Sequence, residues 1–179
     1  MTAPAIPVLE TGRLRLEPPA AAHFPAWRAF YTSAEGTARR GGTPKSERDA
    51  WMLLAADIGH WALRGFGIWA VTEAAGGRVL GACGLWHPAG WPRHELTWWL
   101  LPEARGQGFA TEASRAAIGF GYDRLGLDPV ETHMQDDNLP ARRLAARLGG
   151  RVIARETFPD GRARDVFALP HPARAEDAA

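Results

Sequence analysis

Between Leu100 and Thr111 an apolar run ends, a glycine-rich turn follows, and a helical pattern begins. This stretch constrains the chain more than any other. The first N–H groups of a helix have no partner inside it, and they sum with the helix dipole to attract anions. Gly106 and Gly108 remove side chains that would block a close phosphate. A P-loop is excluded, because it needs Lys-Ser/Thr after the glycines and the only lysine is Lys45. A dinucleotide fingerprint is weakly supported, because Gly106-x-Gly108-x-x-Thr111 follows hairpin-rich strands rather than a βαβ unit. A pyrophosphate cradle for an acyl carrier nucleotide remains.

Flanking patterns set the frame. Leu14–Glu17 alternates as a half-buried strand and stops at Pro18-Pro19. Phe24, Trp27 and Tyr31 recur at helical spacing. A polar loop from Thr32 to Gly42 follows, carrying Arg39 and Arg40. Thr43-Pro44 predicts the cap of a second helix, with Trp51, Leu54, Ile58 and Trp61 as its apolar stripe. Ile68–Thr72 and Arg78–Trp86 read as strands around a glycine turn, and His94–Leu101 as a third. A helix from Phe109, a strand over Val130–Met134, a helix capped by Asn138 and a final hairpin around Pro159-Asp160-Gly161 complete the order. This is a mixed α/β arrangement in one domain, residues 1–169, with 170–179 as a flexible tail.

Composition narrows the classes. The net charge is +1, so no global basic excess points to nucleic acid. Twenty arginines against one lysine fit a GC-rich genome. The lone Cys83 excludes an internal disulfide and cysteine-rich zinc modules, and inside a strand it reads as a buried inert thiol. His87 and His94 lack metal spacing, so no metal is expected, and His94 reads as a surface imidazole. The start does not look like a signal peptide and no run is long enough to span a membrane, which predicts a cytoplasmic protein with no membrane partner.

Arg105-Gly106-Gln107-Gly108-Phe109-Ala110 resembles the Gln/Arg-x-x-Gly-x-Gly/Ala signature of GNAT acyltransferases. The run Glu95–Ala113 and the segment Asn138–Gly149 look like the RimJ/RimL-type branch. The resemblance covers residues 8 to 169. It implies the GNAT fold: a mixed, mostly antiparallel central sheet with a V-shaped splay, flanked by helices. It also implies acetyl-CoA as co-substrate and an amine acceptor, either a small molecule or a protein N-terminus. A homodimer is implied by analogy.

Carried over by position, Arg105, Gly106, Gln107, Gly108, Phe109, Ala110 and Thr111 would hold the pyrophosphate, and backbone near Leu100 and Leu101 the thioester. Glu95 is the candidate base, on the face it shares with Thr97 and Trp99 by strand alternation. A substrate-orienting carboxylate is the competing reading. Asn138 would bind pantetheine or substrate besides capping its helix. Among Arg142, Arg143 and Arg147, one is expected at a CoA phosphate, and Arg143 is the choice. Trp86, Trp91, Trp98 and Trp99 would divide between acceptor pocket and core. The positions that carry the family's acid, Tyr or Ser, hold Ala145 and Ala141. That departure keeps a second reading open, a non-catalytic acyl-CoA-binding protein.

Overall fold

The computed structural model describes residues 5–38 and 43–173. In chain order its elements are β1 (Leu9–Glu10), β2 (Leu14–Glu17), α1 (Phe24–Tyr31), α2 (Ala34–Thr37), α3 (Glu47–Arg64), β3 (Ile68–Glu73), β4 (Val79–Trp86), β5 (Glu95–Leu100), α4 (Phe109–Leu125), β6 (Val130–Met134), α5 (Leu139–Arg147), β7 (Arg151–Thr157) and β8 (Ala163–Leu169). The first five strands form one antiparallel sheet in the order β1-β2-β3-β4-β5. The last three form a second, β6-β8-β7.

The large sheet is buried on both faces, and its period-2 pattern shows it. Trp69, Val71, Cys83, Leu85, Leu96 and Leu100 pack toward α4, with Phe109, Ala113, Ala117 and Ile118 opposite them. The alternate residues Ile68, Ala70, Ala82, Trp99 and Leu101 pack toward α1 and α3, against Trp27, Phe30 and Leu54. Removing a buried Leu or Ile side chain from such a core typically costs about 2–5 kcal/mol.

Two helical expectations need correction. The cap of α3 is Ser46, not Thr43: its hydroxyl accepts from Asp49 N, and the Asp49 carboxylate accepts from Ser46 N. That reciprocal box satisfies two orphan donors where a proline at N1 satisfies none. The buried stripe is Ala50, Leu54, Asp57 and Trp61, whereas Trp51 is 47% exposed and Ile58 lies at the surface. The reason is Asp57, which accepts a buried hydrogen bond from Trp27 Nε1 at 2.8 Å and so turns a polar residue inward. The loop after α1 also holds the short α2, capped by Ser33. Arg39 and Arg40 lie outside the described residues.

Packing continues past Leu169. His171 packs edge-on against Tyr122, whose hydroxyl donates to Leu169 O. Of the expected tail, residues 174–179 lie outside the described residues.

No backbone ladder joins β5 to β6. Side chains bridge them instead: Thr132 Oγ1 donates to Leu96 O at 2.9 Å, close to where β5 begins. Past Leu96 the two strands border a shared cleft.

Candidate active site

The glycine turn is built by two left-handed residues. Gly106 has φ +76° and Gly108 φ +82°, conformations that a Cβ penalises. Gly108 is the N-cap of α4 and gives the helix no side-chain cap. The first-turn N–H groups of a 17-residue helix thus face outward without a side-chain acceptor. The turn is held from behind. Arg13 Nη1 donates to Gln107 O at 3.0 Å, and the Gln107 amide donates to Glu103 O.

At the end of β5 the backbone points into the splay. Leu101 N donates to Leu80 O at 2.9 Å. Successive residues of an antiparallel ladder turn their groups to opposite sides. Leu100 therefore directs its N–H and C=O away from β4. Arg105 Nε donates to that Leu100 carbonyl at 3.1 Å, while Arg105 Nη1 pairs with Glu35 of α2 at 2.8 Å.

The splay opens a cleft of about 2160 Å³. Gly106, Gly108, Phe109, Ala110 and Thr111 line one part of it, and Glu95, Trp91 and His133 are among the residues lining the same cavity. Glu95 Oε2 lies 3.0 Å from His133 Nδ1. Behind it, His133 Nε2 faces Glu131 Oε2 at 3.7 Å, and Glu131 accepts from Arg93 at 2.7 Å. Arg93 also clamps Glu156. Those two acidic partners, Glu156 first, hold the Arg93 guanidinium well above its ordinary pKa, and Arg93 in turn holds the Glu156 carboxyl below its own.

The sequence matches the family described as the acetyltransferase (GNAT) domain over residues 13–151. The chain belongs to the GNAT family. An acetyltransferase crystal structure from Agrobacterium tumefaciens str. C58 superposes with a TM-score of 0.84 at 28% identity, covering 93% of this chain and 96% of that one. A spermidine N-acetyltransferase from Vibrio cholerae, crystallised with CoA and spermine, shares the fold with a TM-score of 0.70 at 19% identity over 89% and 96% of the two chains. The uncharacterized N-acetyltransferase YnaD of Bacillus subtilis (strain 168) is 28% identical over 58 residues, 32% of this chain. That match spans 34% of the length of YnaD, about a third of this curated relative.

Not every residue expected from the GNAT pattern lies at the cleft. Leu100, Arg105, Gly106, Gly108, Phe109, Ala110, Thr111, Glu95 and Asn138 line it. Leu101 is buried in the core beside α1, and its N–H is spent on Leu80. Gln107 turns its side chain back to Glu103. Arg143 is exposed and lines no part of the cleft, whereas Arg147, one helical turn on, does. The cause is helical phase: Leu144 is buried, which turns Arg143 outward.

Asn138 caps α5 through Oδ1, which accepts from Ala141 N at 3.4 Å. Ala141 and Ala145 are both buried and offer no hydroxyl. Trp91, Trp98 and Trp99 line the cleft, and Trp99 stacks on Phe30 at 4.4 Å. Trp86 stacks on His60 instead.

His94 is half-buried rather than a surface imidazole, and desolvation lowers its pKa. The Cys83 thiol is fully buried, near Ser114, and burial pushes its pKa up to about 12. Among the described residues no group of three or more His, Cys, Asp or Glu could hold a metal ion, and no helix is long and apolar enough to cross a membrane.

His133, Glu131 and Arg93 escaped the sequence reading. The signal available was Glu131 and His133 at alternate positions of a short strand, which puts two polar groups on one face of it.

Proposed function

We propose that this protein is a cytoplasmic N-acetyltransferase that moves an acetyl group from acetyl-CoA directly to a primary amine within a ternary complex. One observation carries the reading: the uncapped start of α4 and the Glu95 carboxylate open into the same cleft. The residues present fit the co-substrate. The first-turn N–H groups after Gly108 suit a pyrophosphate, and a Cβ built on Gly106 meets nothing within 4 Å, so the turn is open on that side. Acetyl-CoA supplies an activated acetyl thioester.

The chain's own groups do the rest. Leu100 N–H, aimed into the splay, supplies a donor for negative charge developing on a carbonyl oxygen. Glu95 takes a proton from the acceptor ammonium, freeing the amine lone pair. Trp98 and Trp99 give the cleft a partly apolar wall, which helps position the reactants. A covalent route through cysteine is disfavoured, because Cys83 is buried away from the cleft. With alanine at positions 141 and 145, the leaving thiolate takes its proton from solvent or from another hydroxyl.

The resemblance to the RimJ/RimL-type branch and the mixed charge of the cleft support a small molecule or a protein N-terminus as acceptor. The test is calorimetry with acetyl-CoA, followed by a panel of small amines and N-terminal peptides with thiol release as readout. Acetyl-CoA binding with amine-dependent CoA release supports the reading. Binding without release across the panel favours the acyl-CoA-binding alternative, and no binding overturns both.

A further inference from the structure

Glu95 has two carboxylate oxygens with different neighbours. Oε2 lies 3.0 Å from His133 Nδ1. Oε1 has no hydrogen-bond partner among the described residues, and Glu95 lines the cleft. The His133 side chain is completely covered. Phe158 lies against its ring, with centroids 4.8 Å apart. Glu131, on the same strand, faces Nε2, and Arg93 ties Glu131 to Glu156 of β7. His94 and Glu156 also lie within electrostatic reach of the ring. The imidazole is therefore fixed by neighbours on several elements, while the group it touches faces the cleft.

We propose that His133 is a positioning residue for Glu95: its Nδ1–H donates to Oε2, holding the carboxylate so that only Oε1 meets the acceptor. The inference rests on Glu95 acting as the base. A free glutamate side chain spreads over many rotamers, and ordering it costs conformational entropy at each encounter. A buried donor orders it in advance. The proton count closes. An acceptor R–NH3⁺ and the Glu95 carboxylate give R–NH2 and a carboxylic acid protonated on Oε1. Oε2 keeps its hydrogen bond, and His133 neither gains nor loses a proton. Glu95 then releases its proton to solvent through the cleft.

The first test needs no acceptor. Protein labelled with ¹⁵N-histidine is examined by long-range ¹⁵N–¹H correlation at neutral pH. The expected result is a protonated Nδ1 on His133 whose signal moves in Glu95→Gln. An unprotonated Nδ1 overturns the inference. The second test is kinetic, using the panel amine with the highest turnover. His133→Ala should lower kcat about tenfold or more and leave KM for acetyl-CoA unchanged. His133→Asn, whose amide N–H can stand near Nδ1, should recover most of that loss. Equal losses in the two variants, or an unchanged kcat in His133→Ala beside an impaired Glu95→Gln, overturn the inference alone. Unchanged turnover in Glu95→Gln overturns the base assignment and the inference with it.

Discussion

Arg13 and Glu112 grip each other across 99 residues of chain. The guanidinium meets Glu112 Oε2 through Nε at 2.7 Å and Nη2 at 2.7 Å, and Arg13 N donates to Oε1 at 2.8 Å. Thr11 Oγ1 donates to the same Oε1. Burial alone would raise the Glu112 pKa, but the hydrogen bonds from Thr11 and Arg13 outweigh it, and the net shift is downward from 4.5. A lowered folded pKa adds stability above the ordinary value and loses it as pH falls through the folded one. Glu112→Gln should therefore melt lower at pH 7, by about 1–2 kcal/mol given the exposure of Arg13, and converge with wild type in acid. Thermal melts of both proteins from pH 7 down to pH 3 check this. Parallel curves would refute it.

The same clasp bears on the glycine turn. Gly108→Ala puts a side chain in the left-handed region, at about 1–2 kcal/mol, with its Cβ 3.4 Å from Arg13 Nη2. Acetyl-CoA affinity should fall about tenfold, as read by calorimetry. Gly77→Ala makes the control. That residue is also left-handed, at φ +68°, but lies outside the cleft, so it should lose stability and keep affinity.

Glu95→Gln should lower kcat at neutral pH by about a hundredfold and leave acetyl-CoA binding intact. Single-turnover acetylation alongside calorimetry separates the two quantities. A change in binding with no change in rate would instead make Glu95 a substrate-orienting group.

Cys83 should resist alkylation. With its thiol pushed up to about 12 and fully buried, thiolate is scarce at pH 7. Iodoacetamide should modify it only after denaturation, by mass spectrometry. Cys83→Ala should keep catalytic turnover and lose some stability through the small cavity it leaves.

The glycine turn and the Asn138 cap were legible because each is a local conformational demand: a positive φ at Gly108, and a side-chain acceptor placed three residues before Ala141 N. Local rules also erred locally. Thr43-Pro44 satisfies the composition of a cap, and Ser46 with Asp49 satisfies its geometry. Arg143 and Arg147 differ by one turn of α5, and only the burial of Leu144 sets the phase. The Glu95–His133 contact was illegible for another reason. The two residues lie 38 positions apart on strands of different sheets, and no periodicity states which strands become neighbours across a gap.

That gap has a mechanical side. The two sheets share the apolar core around Leu96, Leu100, Val130 and Met134, and Thr132 on Leu96 and His133 on Glu95 join them by polar contacts at the start of β5. Taken as a pivot, that polar seam is the fulcrum of a lever. Leu100 stands about 13 Å further along the strand. Each degree of rotation about the fulcrum then shifts the Leu100 backbone by about 0.2 Å, by the same spacing. Hydrogen bonding discriminates over a few tenths of an ångström. The width of the cleft at its reactive end is thus sensitive to small rotations at the other end, where a threonine hydroxyl and a carboxylate–imidazole contact join the sheets.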